Sequence, residues 1–360
     1  MDIEDKILIW LNKFDFLSHK KRDNIFNALK CETFFEDFVL NYAKIEEYID
    51  YSQFSTMCAD LNYNSIDKYI ELLNHRDIKL ITINSSLYPE SLTQIDNPPH
   101  VLYCKGDVKL LSSDYNIAIV GTRHPTIYGK QVTEKFSKEL TLNGFNIVSG
   151  LADGVDTISH KNCLENGGKT IAVVAGGLNN IYPAFNKKLS EKIVETGGLI
   201  ITEKQPDYNA MNYDFPVRNR IIAGLSKGVL ITEASLKSGT MHTRDYAIEY
   251  GKELFVVPGS IFSSASEGCN LAIKQLPTCL VTCVEDILKV FDKPKNKVKP
   301  KQIQLSVDEA MIFNILKDGE QSFDEILLKT NFNVKDLSNL LTLMSFRGII
   351  KKLAGNNYSL

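Results

Sequence analysis

The spacing of apolar residues divides the chain into parts of different character. Residues 1 to about 75 place apolar side chains at helical intervals, as in Ile7, Leu11 and Phe14, and predict short amphipathic helices. Residues 115–285 instead contain short, nearly continuous runs of Val, Ile and Leu, which are typical of buried parallel strands. These runs are Ile117–Val120, Asn146–Ser149, Thr170–Val174, Leu199–Thr202, Val229–Thr232 and Leu254–Val257. Because amphipathic segments of helix length separate them, we predict an α/β fold, a doubly wound, Rossmann-like and mostly parallel sheet.

Glycine marks the limits of this middle part. The first glycine is Gly106, and 18 of the 21 lie between Gly106 and Gly268, where tight turns at strand ends require them. Residues 78–83 alternate like a strand ahead of the first glycine. We therefore predict an N-terminal helical domain over 1–75 and the sheet domain over 76–290. The helical part lacks the glycine-bearing hairpin of a helix-hairpin-helix DNA binder, so structural support is its expected role.

A lysine- and proline-rich segment precedes a small C-terminal unit. Residues 292–302 contain five Lys and two Pro, which predicts an exposed linker over 291–303, although contact with phosphates is an alternative. Residues 304–360 predict three helices, Ser306–Leu316, one opened by the capping box at Ser322, and Asn333–Phe346. A hairpin around residues 355–357 follows them, which completes a winged-helix pattern.

The third helix of this winged-helix domain carries few groups that could read duplex DNA. Lys335 is its one cationic residue, and Arg347 lies just beyond its end. Recognition in the major groove usually needs more cationic and amide side chains than that. We expect the domain to contact protein or support a dimer, with DNA reading as the alternative.

Composition and charge exclude several classes of protein. The chain has 360 residues, of which 44% are hydrophobic and 24% charged, so it is neither disordered nor of low complexity. Its net charge of −3 excludes a chain that is basic throughout, so any nucleic-acid site is a local patch. The seven cysteines form no CxxC pair, which favours reduced thiols in the cytoplasm over a disulfide framework or a zinc ribbon. No apolar run or N-terminal pattern predicts a membrane span or a signal peptide.

Five glycine-marked loops follow predicted strands, at the strand ends where open α/β sheets bind ligands. In the first loop, Gly121 and Thr122 precede Arg123 and the start of a helix. Glycine lets backbone amides approach an anion, and the planar guanidinium suits phosphate. Seven residues separate Gly121 from Gly129, so this is not the dinucleotide motif. A tight turn with a surface arginine is the alternative.

The fourth loop carries two arginines and an amide. Arg218, Asn219 and Arg220 follow Phe215 and Pro216 at the start of a predicted helix. Packing alone does not explain this set of side chains. Because residues two apart do not share a helix face, we expect Arg218 and Arg220 to act differently. One reaches the ligand while the other pairs with an acid inside the domain.

The remaining loops carry weaker signals. Residues 176–189 combine an aromatic pair with Lys187, which suits single-stranded nucleic acid, although inward packing of the aromatics is equally compatible. Ser238 and Gly239 open another helix and indicate anion binding or plain capping.

The second loop, residues 149–156, ends in a helix start that carries two acids. Asp153 and Asp156 are explained by helix capping, with a ribose-binding acid as the alternative. His160, one turn later, is expected to form a structural hydrogen bond.

Taken together, the loops form a cationic surface without an obvious nucleophile and base. The chain has no GxSxG, HExxH or P-loop motif. We therefore predict no catalytic residues, no metal and no cofactor.

These loops resemble the DNA-processing protein A (DprA/Smf) family of bacteria. The specific segment is Phe-Pro-x-Arg-Asn-Arg-Ile-Ile-Ala-Gly-Leu-Ser at 215–226. The other matching segments are Tyr88-Pro89, Pro98–Gly106, Val120–Arg123, Ser149–Asp156, Gly177–Pro183, Ser238–Thr240 and Val257–Gly259. The chain departs from the family at Ser159, where alanine is usual, and at residues 274–277, where a Gly-Ala pair is usual. The second departure puts local detail there, including dimer packing, in question.

The resemblance implies an extended Rossmann-like domain that binds single-stranded DNA as a homodimer. It also implies a non-enzymatic role in the cytoplasm: loading of RecA onto incoming strands during natural transformation and recombination, including strands coated by single-strand binding protein. The DNA-binding residues expected on this basis are Gly121, Thr122, Arg123, Lys187, Arg218, Asn219, Arg220, Ser238 and Gly239.

Two other functions remain as alternatives. Nucleotide-hydrolysing enzymes related to the phosphoribohydrolases share this layout, but their Pro-Gly-Gly-x-Gly-Thr-x-x-Glu motif ends in a glutamate. Here Gly239 and Thr240 are followed by Met241, His242 and Thr243, which argues against hydrolysis. A transcription regulator, with the winged helix reading DNA and the middle domain sensing a ligand, is the third interpretation. The low charge of the third helix weighs against it.

Overall fold

Eight strands form a single sheet at the centre of the larger of two units. The computed structural model describes residues 2–61, 63–293 and 305–360, and these fall into the units Met1–Asn296 and Lys297–Leu360. From 294 onward the predicted linker therefore lies outside the described residues. The strands are β1 Lys79–Thr82, β2 Val101–Gly106, β3 Asn116–Val120, β4 Asn146–Ser149, β5 Thr170–Val173, β6 Leu199–Thr202, β7 Gly228–Ile231 and β8 Glu253–Val256.

The sheet order is β1-β2-β6-β5-β4-β3-β7-β8. Strands β3 to β8 pair in parallel, and β1 and β2 add an antiparallel edge beside β6. This confirms the predicted α/β class and its mostly parallel sheet. The order reverses between β3 and β7, and such a switch point opens a crevice at the carboxyl ends of the strands.

Helices connect the parallel strands and pack on the sheet. All residues of β3, β5, β6 and β7 are buried, which explains their continuous apolar runs. The helices of this part are α6 Glu90–Thr93, α7 Ile127–Leu142, α8 Val155–Glu165, α9 Lys187–Glu195, α10 Asp214–Leu225, α11 Thr240–Glu249, α12 Glu267–Gln275 and α13 Val284–Val290.

Five further helices precede the sheet and have a hydrophobic core of their own. They are α1 Ile3–Asn12, α2 His19–Ala28, α3 Phe34–Leu40, α4 Tyr51–Asp60 and α5 Tyr63–His75. Trp10 is fully buried among phenylalanine rings, with Phe38 edge-on at 5.0 Å between ring centroids. On the other face of α1, Ile9 packs with Val101 and Tyr103 of β2. The helical part is thus fastened to the antiparallel edge of the sheet by apolar contacts.

The C-terminal unit is small and has its own core. Its elements are α14 Val307–Leu316, β9 Gln321–Ser322, α15 Phe323–Lys329, α16 Val334–Phe346, β10 Lys351–Lys352 and β11 Asn357–Ser359. Ser306 and Ser322 each form a capping box with the glutamate three residues later. Leu337, Leu341 and Met344 are fully buried. Three helices and a terminal hairpin follow the predicted order, and the winged-helix assignment stays a prediction.

None of the helices among the described residues is both long enough and apolar enough to cross a lipid bilayer. The seven cysteines are free thiols, of which four are buried.

Candidate nucleic-acid interface

A cleft of about 440 Å³ lies at the switch point between β3 and β7. It is bordered by the loops that follow these two strands and by the start of α10. Seven of the nine predicted binding residues line it, namely Gly121, Thr122, Arg123, Arg218, Asn219, Ser238 and Gly239. A second cavity of about 240 Å³ adjoins it and shares Arg123, Phe215 and Arg218 with it. The structure therefore brings most of the predicted residues to one place.

The first loop is held by Glu233 from the loop after β7. The carboxylate of Glu233 accepts hydrogen bonds from the backbone N–H and the hydroxyl of Thr126, both at 2.7 Å. Its backbone carbonyl accepts from the N–H of Thr122 at 2.8 Å. A Cβ on Gly121 would lie 2.8 Å from the same carbonyl oxygen, so glycine is required there. These contacts hold the loop in one conformation, and the carboxylate of Glu233 already binds the N-cap residue of α7.

Arg123 stands at the mouth of the cleft over an aromatic ring. Its guanidinium carbon lies 5.2 Å from the centroid of the Phe215 ring, within the range of a cation–π interaction. The Tyr182 ring meets Phe215 edge-on at 5.6 Å. Tyr182 is 57% exposed and Phe185, which also lines the second cavity, is 64% exposed. A cation and exposed aromatic faces thus lie side by side, as in sites where bases stack and phosphates pair.

Arg218 lies deeper and is only 6% exposed. Its Nη1 donates to the carbonyl of Gly150 at 2.7 Å and to the carbonyl of Val173. Burial lowers the pKa of Arg218 to about 10; the charge of Asp156 opposes that shift, and the charge of Arg123 adds to it. Within the part of the chain that the structure describes, Nη2 forms no hydrogen bond. Arg218 is thus a fixed cation whose remaining donor is free for a ligand.

The acids of the second loop bind their own backbone. Oδ2 of Asp156 accepts from the N–H groups of Gly150 at 3.0 Å and Ala152 at 3.3 Å. Asp153 accepts from the N–H of Gly154 at 2.7 Å. Burial raises the pKa of Asp156, although Arg218 and these amides oppose the change. The helix that follows begins after Gly154 without a side-chain cap bond, so these acids stabilise the glycine loop rather than cap the first turn of α8.

Arg220 is engaged inside the domain. Its five N–H groups are all used: they donate to both carboxylate oxygens of Glu203, at 2.9 and 2.6 Å, to the carbonyl of Asn97 twice, and to the carbonyl of Val217. Burial alone would raise the pKa of Glu203, but the charge and hydrogen bonds of Arg220 outweigh it and lower that pKa. This is the internal ion pair that the i,i+2 spacing predicts for one of the two arginines.

Lys187 is exposed at the start of α9 and is not among the described residues that line either cavity. The residue before it fixes its loop: Asn186 donates from Nδ2 to the carbonyl of Leu151 at 2.9 Å and to the hydroxyl of Thr157 at 2.8 Å. The aromatic loop is therefore tied to the glycine loop that carries Asp156, and contact of Lys187 with DNA stays a prediction.

The opposite wall of the cleft is polar. Asn219 accepts from Nε of Arg218 at 3.2 Å and donates to the carbonyl of Gly239 at 3.4 Å. The Ser238 hydroxyl donates to that of Thr240 at 3.0 Å, at the start of α11. Contact of these residues with DNA stays a prediction.

Sequence reasoning left some lining residues out of the predicted site. Phe215 and Tyr182 belong to the motifs that match the family, but neither was among the predicted binding residues. The structure shows that the Phe215 ring lies beside Arg123 and meets the Tyr182 ring edge-on. His124 and Asn212 also line the first cleft, and nothing in their local sequence singles them out. The position of Phe215, three residues before Arg218, is the one sequence signal that could have added an aromatic residue to the predicted site.

Residues 79–292, more than half of the chain, match the family model described as DNA recombination-mediator protein A. The chain belongs to this family. Membership of the DprA family confirms the resemblance found in the sequence and gives the chain a role in DNA processing as a mediator of recombination.

Relatives and solved structures agree with this assignment. The chain is 41% identical over 213 residues to the DNA processing protein DprA of Bacillus subtilis, covering 59% of this chain and 71% of that protein. It superposes on the crystal structure of DprA from Streptococcus pneumoniae with a TM-score of 0.67 and 32% identity, covering 80% of this chain and 98% of the other. A structure of DprA from Helicobacter pylori, described as showing its single-stranded DNA binding mode, aligns with a TM-score of 0.54 and 36% identity over 60% of this chain and 96% of that one.

Proposed function

We propose that the protein binds single-stranded DNA in the switch-point cleft and loads RecA onto that DNA during natural transformation and recombination. The observation that carries this proposal is the group formed by Arg123, Phe215 and Arg218 at the cleft. Burial is the main cause that lowers the pKa of Arg218, and the nearby charge of Arg123 adds to it, so an anion bound beside both guanidinium groups would favour the charged form of Arg218. A phosphate group is the natural anion for two planar cations.

The aromatic rings beside the arginines favour a single strand over a duplex. A single strand can place bases flat on exposed rings such as those of Tyr182 and Phe185, each stacked base contributing roughly 1–3 kcal/mol. In a duplex the base faces are already stacked on one another. The proposal is also supported by the Helicobacter pylori relative, whose structure is described by its single-stranded DNA binding mode.

The proposed function also requires protein partners. We infer that the protein acts as a homodimer in the cytoplasm, and that RecA and single-strand binding protein meet it on the DNA. The support is family membership. The test is RecA ATPase activity on a strand coated with single-strand binding protein, which the protein should restore at substoichiometric amounts. Unchanged ATPase activity would argue against loading while leaving DNA binding intact.

DNA binding itself is tested by fluorescence anisotropy with a labelled oligo-dT and a hairpin duplex of equal phosphate number. We expect clear preference for oligo-dT, weakened at least tenfold by Arg123→Gln. The matched control is Lys227→Gln, which removes one charge from the residue before β7, at the amino end of the strand whose carboxyl end borders the cleft. Equal binding of the two DNAs, or equal effects of the two substitutions, would contradict the proposed site.

A truncation separates this function from that of a winged-helix regulator. We expect a chain ending at residue 303 to keep its affinity for oligo-dT, because the cleft lies wholly within the first unit. Loss of all DNA binding would favour a regulator that reads DNA through residues 304–360. Release of free base from nucleoside monophosphates would instead support the enzymatic alternative.

A further inference from the structure

Three potential ligands meet where α2 approaches the segment that leads into β2. Nδ1 of His19 lies 3.1 Å from Oδ2 of Asp23, and Nε2 of His100 lies 2.7 Å from Oδ1 of the same carboxylate. The three ligand atoms all lie within 4.8 Å of one another. His19 and Asp23 are one turn apart on α2, and His100 follows Pro98 and Pro99. The cluster takes no part in the cleft described above.

Both ring nitrogens of His19 face oxygen atoms. Nε2 of His19 lies 2.5 Å from the carbonyl oxygen of Pro98, which can only accept, so Nε2 carries the proton. In a neutral imidazole Nδ1 then holds a lone pair, and this lone pair faces the carboxylate of Asp23. Nδ1 of His19 is therefore placed to share a metal ion with the Asp23 carboxylate and His100.

The arrangement matches that of a small metal site in several respects. Imidazole nitrogen and carboxylate oxygen are ligands of zinc and related divalent ions at about 2.0–2.2 Å, which places neighbouring ligands about 3.4 Å apart in a tetrahedral site. The three ligand atoms already lie within 4.8 Å of one another, so modest side-chain movements bring them to such separations. The Pro98 carbonyl supplies the usual outer partner that orients a metal-bound imidazole. His100 is 8% exposed, whereas the Asp23 side chain is 45% exposed and leaves an entry path from solvent.

We propose that His19, Asp23 and His100 bind one divalent transition-metal ion of the zinc type, with water completing the coordination. The ion joins α2 of the helical part to the chain that enters the antiparallel edge of the sheet. Its role there is to fasten the two parts, in addition to the apolar contacts around Ile9. Metal binding of this kind stabilises the folded state by an amount that rises with the logarithm of the free metal concentration once that concentration exceeds Kd.

The test uses the full-length, tag-free chain, stripped with chelator and kept reduced. Co²⁺ is titrated first, because its absorption spectrum distinguishes imidazole and carboxylate ligands from thiolates, and Zn²⁺ then displaces it in a calorimeter. We expect one equivalent bound without a thiolate charge-transfer band, and a rise in the melting temperature. His19→Gln and Asp23→Asn should each weaken binding by roughly a hundredfold.

His75→Gln is the matched control, since His75 is an exposed histidine at the end of α5. It should leave binding unchanged. Circular dichroism checks that each variant is folded. If His19→Gln does not fold, Asp23→Asn provides the test, because the Asp23 side chain is half exposed and its substitution should disturb packing little. Absence of binding, a thiolate signal, or equal binding by wild type and Asp23→Asn would overturn the proposal.

Discussion

Gly150 offers a test of how Arg218 is held, because its side-chain position is occupied by the arginine. A Cβ built on Gly150 would lie 2.5 Å from Nη2, 2.6 Å from Cζ and 2.7 Å from Nη1 of Arg218. Ordinary contact begins at about 3.4 Å. In Gly150→Ala the guanidinium must therefore move by roughly 0.9 Å, but its Nη1 is hydrogen-bonded to the carbonyls of Gly150 and Val173.

The expected cost follows from these two hydrogen bonds. A hydrogen bond from a charged donor contributes roughly 1.5–3 kcal/mol, so weakening both should lower the free energy of unfolding by about 2–4 kcal/mol. Affinity for oligo-dT should fall as well, because the displaced Arg218 lines the cleft. Gly150 has no side chain that could contact DNA, so a loss of affinity reports the displacement of Arg218. Urea denaturation followed by the fluorescence of Trp10 measures the first effect, and anisotropy measures the second.

Gly239→Ala is the matched control at the same cleft. A Cβ at Gly239 meets nothing within 4 Å, and its φ of −58° suits any residue. Its free energy of unfolding should therefore stay within about 0.5 kcal/mol of wild type. The reasoning is refuted if Gly150→Ala is as stable as wild type, or if the two alanine variants lose the same stability.

Three further predictions address other contacts. Glu203→Gln breaks the buried ion pair with Arg220 and should lower the free energy of unfolding by about 3–5 kcal/mol in urea denaturation; a loss below 1 kcal/mol would contradict it. Burial lowers the pKa of His160 to about 3, against about 6.5 in the unfolded chain. Below pH 6.5 the unfolded chain therefore binds a proton that the folded chain does not. The free energy of unfolding is highest above pH 6.5 and falls by up to about 1.4 kcal/mol for each pH unit below it. His160→Gln should flatten the decline of the urea midpoint between pH ~6.5 and ~4, and an unchanged slope would refute this. Phe185→Leu, at an exposed ring of the second cavity, should weaken oligo-dT binding by roughly 1–3 kcal/mol without changing its salt dependence, whereas a changed salt slope would argue against stacking.

The sequence predicted the sheet because local pattern and fold agree there. Continuous apolar runs located β3 to β8 within a residue or so at each end, and capping residues such as Ser306 and Ser322 located the helix starts of the C-terminal unit. The antiparallel position of β2 was not predicted, because Val101–Gly106 differs little in pattern from a parallel strand. Its place beside β6 depends on pairing with residues about 100 positions away.

The sequence predicted most of the residues that line the cleft, but it did not predict which arginine faces the cleft and which pairs with an acid. Spacing alone indicated that Arg218 and Arg220 act differently. Which of them pairs with an acid depended on Glu203, which lies on a separate loop. The same limit applies to His19 and His100, which are far apart in the chain and meet only through the packing of α2 on the sheet edge. Local sequence identifies the residue types, whereas long-range packing decides their partners.

The most direct test of the account is the salt dependence of oligo-dT binding by wild type, Arg123→Gln and Lys227→Gln. The logarithm of the affinity should fall linearly with the logarithm of salt concentration, by a slope of about −0.7 for each phosphate contact. We predict that Arg123→Gln reduces the steepness by about 0.7, and that Lys227→Gln leaves it unchanged. A slope for Arg123→Gln equal to that of wild type would contradict the claim that the switch-point cleft holds the DNA backbone.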